Sequence, residues 1–253
     1  MRGYITFVKK EFFEMARTYK LFLLAAVYFL LGVINPLTAE YTPDLLTNFM
    51  PKGMKIKIPE PTAIDSWLQF YKNVPQMGLI ILAIVFSGIL VSELNKGTVV
   101  IMLTKGLSRK TVVLSKFTAA AFVWTAAYCF CFALSYGYTI YFWKEKVPNL
   151  IFSICCIWLF GIFLLTIEIL ANTLCHSGYE VLLFTGGIIV LCYLLNIVPK
   201  VQKYNPILLI HCNKELLTKA KSPEDLFWSV GITLVLTVLF LIGSILCFNQ
   251  KKI

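Results

Sequence analysis

The chain is short of charge. Only 14% of its 253 residues are Asp, Glu, Lys or Arg, where a soluble domain carries about 25%. With 58% hydrophobic residues, that shortage excludes an ordinary soluble fold and reads as an integral membrane protein. Acidic residues are scarcer than basic ones, 13 against 23, for a formal net charge of +10. In a soluble protein such an excess would suggest nucleic acid. In a chain this apolar, lysines and arginines gather in the loops beside membrane spans, so no nucleic-acid partner is expected.

Several chemistries lack their residues. Histidine occurs twice, at His176 and His211, and neither H-E-x-x-H nor G-x-S-x-G is present. No G-x-x-x-x-G-K-[ST] run is present to cradle a nucleotide. The chain therefore reads as a non-enzyme that cannot hydrolyse ATP by itself, with no bound cofactor or metal. His211 and Glu215 stand four apart in "HCNKE", a spacing that could hold a metal on a helix. A hydrated pair in an outer loop fits them better. The eight cysteines form no C-x-x-C and no Cys/His ligand set, and they read as small apolar core residues, with Cys212 alone clearly in a loop. No G-x-x-x-G pair offers a standard dimer seam. The N-terminal charges are spread over twenty residues and no A-x-A-like site follows, so the first apolar run reads as an uncleaved span.

What the chain has is apolar length. Six runs stand out, at about 21–37, 74–91, 111–142, 149–173, 180–198 and 226–248. In lipid each can satisfy its backbone only as a helix, so the expected fold is a single all-α transmembrane domain over 1–253. The first run is expected to end at Asn35-Pro36. The third is longer than the roughly 30 Å hydrocarbon core needs, and its Lys116 end is expected to project into the cytosol. Six spans put both termini on one side. Of the 23 Lys and Arg, 12 fall on that side and 11 on the other, so the count alone does not orient the chain. The five positives before the first span do. The expected state is a multi-pass protein of the cell membrane with cytoplasmic N- and C-termini.

Residues 1–20 carry a helical pattern. Ile5, Val8, Phe12, Met15 and Tyr19 recur at steps of three and four, with Lys9, Lys10, Glu14 and Arg17 largely elsewhere on the wheel. That is an amphipathic helix lying on the membrane surface. Between the first two spans, prolines 51, 59 and 61 favour an extended stretch. From Ala63 to Tyr71 a helical stripe returns, with Ile64, Trp67, Leu68 and Tyr71, and its Trp and Tyr suit the headgroup zone. In a second outer segment, Pro206 can start a short helix.

The inner loop between spans two and three reads "SELNKGTVVIMLTKGLSRKTVVLSKF". Thr98 is a plausible N-cap, Gly106 a plausible stop, and Val99, Met102 and Leu103 share one face. The result is a short helix at about 98–106, with Lys105 in its last turn. Ser108 then caps the next helix. Such a knob suits either a groove on a partner protein or the membrane surface, and the chemistry alone does not choose.

This loop resembles the type-2 permease family of ABC transporters. The carrying residues are Glu93, Gly97, Thr98, Leu103, Ser108, Arg109 and Lys116. The amphipathic N-terminus, the Asn205-Pro206 turn and the terminal "FNQKKI" are also similar to that family. The likeness covers essentially the whole chain, although the family's frequent proline near Gly106-Leu107 is missing. The resemblance implies a permease subunit of an ATP-driven exporter. It would work as a dimer with a second copy or a similar permease, coupled to separate cytoplasmic ATPase subunits that hold ATP and Mg. It further implies that the 98–106 helix is a coupling helix. On that reading Glu93, Thr98, Met102, Leu103, Lys105 and Arg109 form the ATPase contact, and Phe12, Met15 and Arg17 belong to the surface helix beside it. The alternative is an ATP-independent channel or secondary carrier, for which a polar path is needed. Glu168 is the single carboxylate inside an apolar span, and Asn172 lies one turn on. Both are candidates for the path or its gate. Asn196 and Gly186-Gly187 in the fifth run imply no ligand. The substrate is open: Phe- and Tyr-rich spans and loops of mixed charge fit peptides, antibiotics, lipids and other amphiphiles equally.

Overall fold

The computed structural model describes residues 2–49, 60–104 and 106–251, without the side chains of residues 2 and 44–49. Lys105, the prolines at 51 and 59 and the last two residues of "FNQKKI" lie outside the described residues. The described chain is all helix and turn. In order, it forms α1 (Arg2–Arg17), α2 (Lys20–Phe49), α3 (Ala63–Asn73), a wide π turn (Val74–Gly78), α4 (Leu79–Phe86), α5 (Val91–Asn95), α6 (Thr98–Thr104) and α7 (Arg109–Phe142). Then follow α8 (Leu150–Leu174), α9 (Gly178–Leu195), the short α10 (Pro199–Gln202), α11 (Leu208–His211) and α12 (Asn213–Leu217), and α13 (Phe227–Gln250). Among the described residues six stretches are long and apolar enough to cross a membrane: Lys20–Pro43, Ala63–Asn95, Arg109–Phe142, Leu150–Leu174, Gly178–Leu195 and Pro223–Gln250. The protein is an all-α, six-span integral membrane protein.

The first span does not stop at Pro36. The helix continues through Pro36 and Pro43, because a missing backbone donor is tolerated where neighbouring groups re-satisfy the chain. Beside Pro36, Asn73 Nδ2 donates to the buried Asn35 Oδ1 at 2.7 Å. The second span starts eleven residues earlier than the apolar run suggests, at Ala63 rather than near 74. Asp65 accepts the Thr62 N–H at 2.9 Å and fixes that start. Trp67 and Tyr71 are buried within the protein. Trp67 meets Phe132 of α7 at 5.7 Å between centroids.

Two irregularities interrupt the second span. The Leu79 N–H reaches back five residues to Val74 O, which widens the turn that Pro75 could not complete with an ordinary bond. A Cβ on Gly78 would come within 2.8 Å of Tyr28 Oη, so the π turn rests directly on α2. The second break, at 87–90, separates α4 from α5.

Helix α8 is central. Two thirds (67%) of its most apolar stretch is buried within the protein, against 11% for α9 and 17% for the last span, so those two form the rim that faces lipid. Close approach of α7 to α8 depends on Gly161, where a Cβ would lie 2.3 Å from Trp124 ring carbons. Trp124 Nε1 donates to Trp158 O at 3.1 Å, and Trp158 Nε1 donates back to Thr125 Oγ1 at 3.0 Å. Gly32 does the same for α2 on α7, its carbonyl accepting the Ser135 hydroxyl at 3.0 Å.

Candidate functional site

The loop helix α6 is held between two glycines that need a left-handed backbone. Gly97 has φ 70° and Gly106 has φ 90°, values that cost other residues strain. Thr98 is the first helical residue and not the cap: its hydroxyl donates backward to Glu93 O at 3.1 Å, while Gly97 O accepts the Ile101 N–H. At the other end the Leu107 N–H closes on Met102 O at 3.2 Å. Ser108 Oγ then accepts the Thr111 N–H at 3.2 Å and starts α7. Val99 is fully buried, Met102 and Leu103 are half-buried against the core, and Ile101 stands 56% exposed.

Beneath this helix lies a buried ion cluster. Glu11 of α1 is 2% exposed, Glu93 of α5 4% and Lys116 of α7 1%. Lys116 Nζ donates to both carboxylate oxygens of Glu11 at 3.0 Å and meets Glu93 Oε2 at 2.8 Å. Lys10 Nζ bridges Glu11 Oε1 at 3.1 Å, Glu14 Oε2 at 2.5 Å and Glu93 Oε1. Burial alone would pull the Lys10 ammonium below its ordinary pKa, but the bonds to Glu14 and Glu93 and the charge of Glu11 outweigh it. Lys10 is held above its usual range and stays charged. Oxygens of Glu11, Glu14 and Glu93 lie within 4.8 Å of one another, a spacing a divalent cation could use, but the two ammoniums already pair with all three carboxylates. The cluster therefore fastens three elements: α1, the end of the second span and the start of the third.

A second fastening joins α7 to the end of α13. Arg109 Nη1 donates to the carbonyls of Phe248 at 2.6 Å, Asn249 at 3.2 Å and Lys251 at 2.6 Å, where a cation suits the helix dipole. Lys251 Nζ in turn donates to Thr173 O and Cys175 O at the end of α8. Both described ends of the chain thus bond to elements that flank α6: α1 to α5 and α7, and the end of α13 to α7.

These positions redraw the residues read as a contact surface. Glu93 and Arg109 are turned inward and engaged, Thr98 braces Glu93, Met102 and Leu103 are partly covered, and Lys105 lies outside the described residues. Lys116 does not project into water; it is the centre of the ion cluster. On α1, Phe12 packs edge-on against Phe122 at 5.3 Å, Met15 is buried and Arg17 is exposed. Toward the protein α1 turns Phe7, Glu11 and Met15, while Ile5 and, just past the helix, Tyr19 are exposed. Sequence reasoning missed Glu11, Lys10 and Ile101. The signals were a carboxylate in step with Phe7 and Met15 on the inward stripe, and an ionisable Lys116 inside an apolar run, which calls for a partner.

Asn172 has a structural task. Its Oδ1 accepts the N–H groups of Leu90 and Val91 at 3.1 and 3.2 Å, and its Nδ2 donates to Glu168 O at 2.9 Å. It stitches the 87–90 break onto α8. Glu168, one turn earlier, is fully buried, and neither carboxyl oxygen has a hydrogen-bond partner among the described residues. His211 and Glu215 do not converge: His211 meets the Tyr193 ring at 5.3 Å and Glu215 pairs with Lys221 at 2.6 Å.

No family model matches the chain. It is similar to an uncharacterized transmembrane protein, YxlG, of Bacillus subtilis (strain 168), at 19% identity over 256 aligned positions that span 100% of this chain and 99% of the relative. That likeness runs end to end and agrees with a membrane-spanning chain.

Proposed function

We propose that this multi-pass membrane protein is the permease subunit of an ATP-driven exporter, paired with a second permease and driven by separate cytoplasmic ATPase subunits. The observation that carries the reading is the fastening of α6. Six of the seven residues that carry the family resemblance, Glu93, Gly97, Thr98, Ser108, Arg109 and Lys116 (all but Leu103), set its pose or that of its neighbours, by an ion pair, a left-handed turn, a cap or a helix-end clamp. A loop that only reverses the chain has no need of a buried ion cluster. A lever does, because a force on α6 reaches the second and third spans and α1 only if the junction is stiff. Ile101 is the exposed apolar side chain of that lever, suited to an apolar pocket on a partner. In this reading nucleotide-driven closure of the ATPases displaces α6, and the spans alternate their access. The membrane is the cell membrane, with α6 and both termini in the cytoplasm.

The test is co-purification of this chain expressed together with its neighbouring genes, to learn whether an ATPase comes down with it. The wild-type chain is expected to carry that ATPase in stoichiometric amount, with ATP hydrolysis in the eluate. Ile101→Asp is expected to lower the bound ATPase more than tenfold while the permease stays monodisperse, because Ile101 makes little contact within the fold. An ATPase that never co-elutes with the wild-type chain, or stays fully bound to the variant, would sink the reading.

A second reading, an ATP-independent carrier, is favoured by one observation: the unpartnered, buried Glu168 in the central helix. Intramembrane carboxyl groups mark ion and proton paths. On this reading Glu168→Gln abolishes gradient-driven flux in vesicles without ATP. Vesicles with no such flux in the wild-type chain discard it.

A further inference from the structure

The bonding around Glu168 leaves its carboxyl group with nothing. The residue stands inside the fourth span, about 9 Å of helix before Leu174. It is fully buried, and neither carboxyl oxygen has a hydrogen-bond partner among the described residues. The polar side chains nearest to it on α8 are already spent. Asn172 donates to the Glu168 carbonyl and accepts the N–H groups of Leu90 and Val91. Thr166 donates to Phe163 O and Thr173 to Leu170 O, each at 2.7 Å.

The charges on the elements packed against α8 are spent or distant as well. From α7, Lys116 is held by Glu11 and Glu93, and Arg109 by the end of α13. From that end, Lys251 donates to Thr173 O and Cys175 O. From α9, Glu180 is exposed and accepts the His176 N–H at 2.8 Å. Helix α4 has no ionisable residue. His211 of α11 and Lys214 and Glu215 of α12 belong to the opposite end of α8, where Asn149 donates to Leu216 O. The charge that bears on Glu168 is Lys20, at the start of α2. Lys20 is half-buried and forms no ion pair among the described residues, with Glu168 or with any other carboxylate.

A carboxylate buried among apolar side chains, with neither hydrogen bond nor ion pair, is so costly that the group neutralises instead. We propose that Glu168 is a proton-binding site: in this arrangement of the spans it is a neutral carboxylic acid, and it releases the proton only in an arrangement that brings water or a cation to it. Its oxygens have almost no accessible surface here, so the proton exchanges only when α8 moves against its neighbours. Lys20 is the cation placed to answer the charge that remains. This deepens the second reading above by naming the ligand of Glu168. It is measured on the purified chain with no gradient and no ATPase. A proton found on Glu168 in a chain without gradient-driven flux leaves the site standing and discards only the carrier.

The experiment uses the purified full chain in detergent, with Glu168→Gln as the reference. Gln has nearly the shape of the neutral acid and is expected to fold. The infrared difference between the two chains at about pH 7, well above the ordinary glutamate value of about 4.3, is expected to show the C=O stretch of one protonated carboxyl group. A difference that shows only the stretches of an ionised carboxylate overturns the proposal. The second readout is reversible unfolding in dodecyl sulfate mixed micelles between about pH 6 and pH 8. There an unfolded glutamate is ionised, while the folded Glu168 keeps its proton. Unfolding therefore releases a proton and is favoured as the pH rises. The ratio of the wild-type unfolding constant to that of Glu168→Gln is expected to grow about tenfold per pH unit. A ratio that stays constant over this range overturns the proposal too. Glu168→Leu, equally without charge, serves for both comparisons if Glu168→Gln does not fold.

Discussion

Lys116 is where single residues matter most. It faces two carboxylates, Glu11 and Glu93, that are buried with it. Removing one partner of a buried pair leaves charge uncompensated, at a cost of about 3–5 kcal/mol. Lys116→Met is therefore expected to lower the midpoint of thermal unfolding in detergent sharply, read by loss of the monodisperse peak on size exclusion. A Lys116→Met, Glu11→Leu, Glu93→Leu variant is expected to recover most of that loss, since apolar groups of like volume can replace a buried cluster. A single variant as stable as the wild-type chain would show that the cluster is solvated. Little of this was legible beforehand. Glu93 and Lys116 are 23 residues apart and Glu11 lies on another helix, and sequence spacing does not state which long-range neighbour answers a charge. Only the presence of Lys116 in an apolar run signalled that some partner was required.

Among the elements, the second span is the least regular. Its π turn and its 87–90 break divide one membrane crossing into three helical pieces. The break is stable because Asn172 accepts the two N–H groups that would otherwise start α5 unsatisfied. Asn172→Leu is expected to orphan both donors, costing about 1–3 kcal/mol. Faster amide exchange at Leu90 and Val91, with α7 unchanged, is the signature. Protection equal to the wild-type chain would mean the break is held by packing instead. The short length of the apolar run at 74–91 hinted that the span starts earlier, and Pro75 sits where the ladder is disturbed. Neither break could be placed from periodicity, because an 8-residue all-apolar piece such as α4 has no polar face to phase. The same holds for α1: several apolar residues face the protein as readily as the membrane, and the inward face was set by Glu11 finding Lys116.

At the scale of the molecule, the six spans bring α1, α6 and the end of α13 to one end of the bundle. The charge count leaves orientation nearly balanced, so the cytoplasmic placement of that end rests on the first flank. Alkaline phosphatase fused after Lys251 is expected to be inactive in cells, and the same enzyme fused in the 143–149 loop active. The reverse pattern would invert the topology and remove α6 from any cytoplasmic ATPase. Helices α9 and α13 are the least covered by the rest of the chain. They are the surfaces that lipid or, on the proposed reading, a second permease would meet.

By itself the sequence determined the membrane class, the number of spans and the existence of a short helix between two glycines. These follow from local quantities: transfer free energy summed over about twenty residues, and backbone conformations open chiefly to glycine. The tertiary structure decided which face of α1 is inside, that Glu93 and Arg109 brace the elements beside the loop helix, and that Asn172 bonds the 87–90 break. Each of these depends on pairing between residues far apart in the chain. In a protein whose spans are apolar on nearly every side, the pattern of hydrophobicity carries almost no information about such pairing, and the few buried polar groups carry most of it.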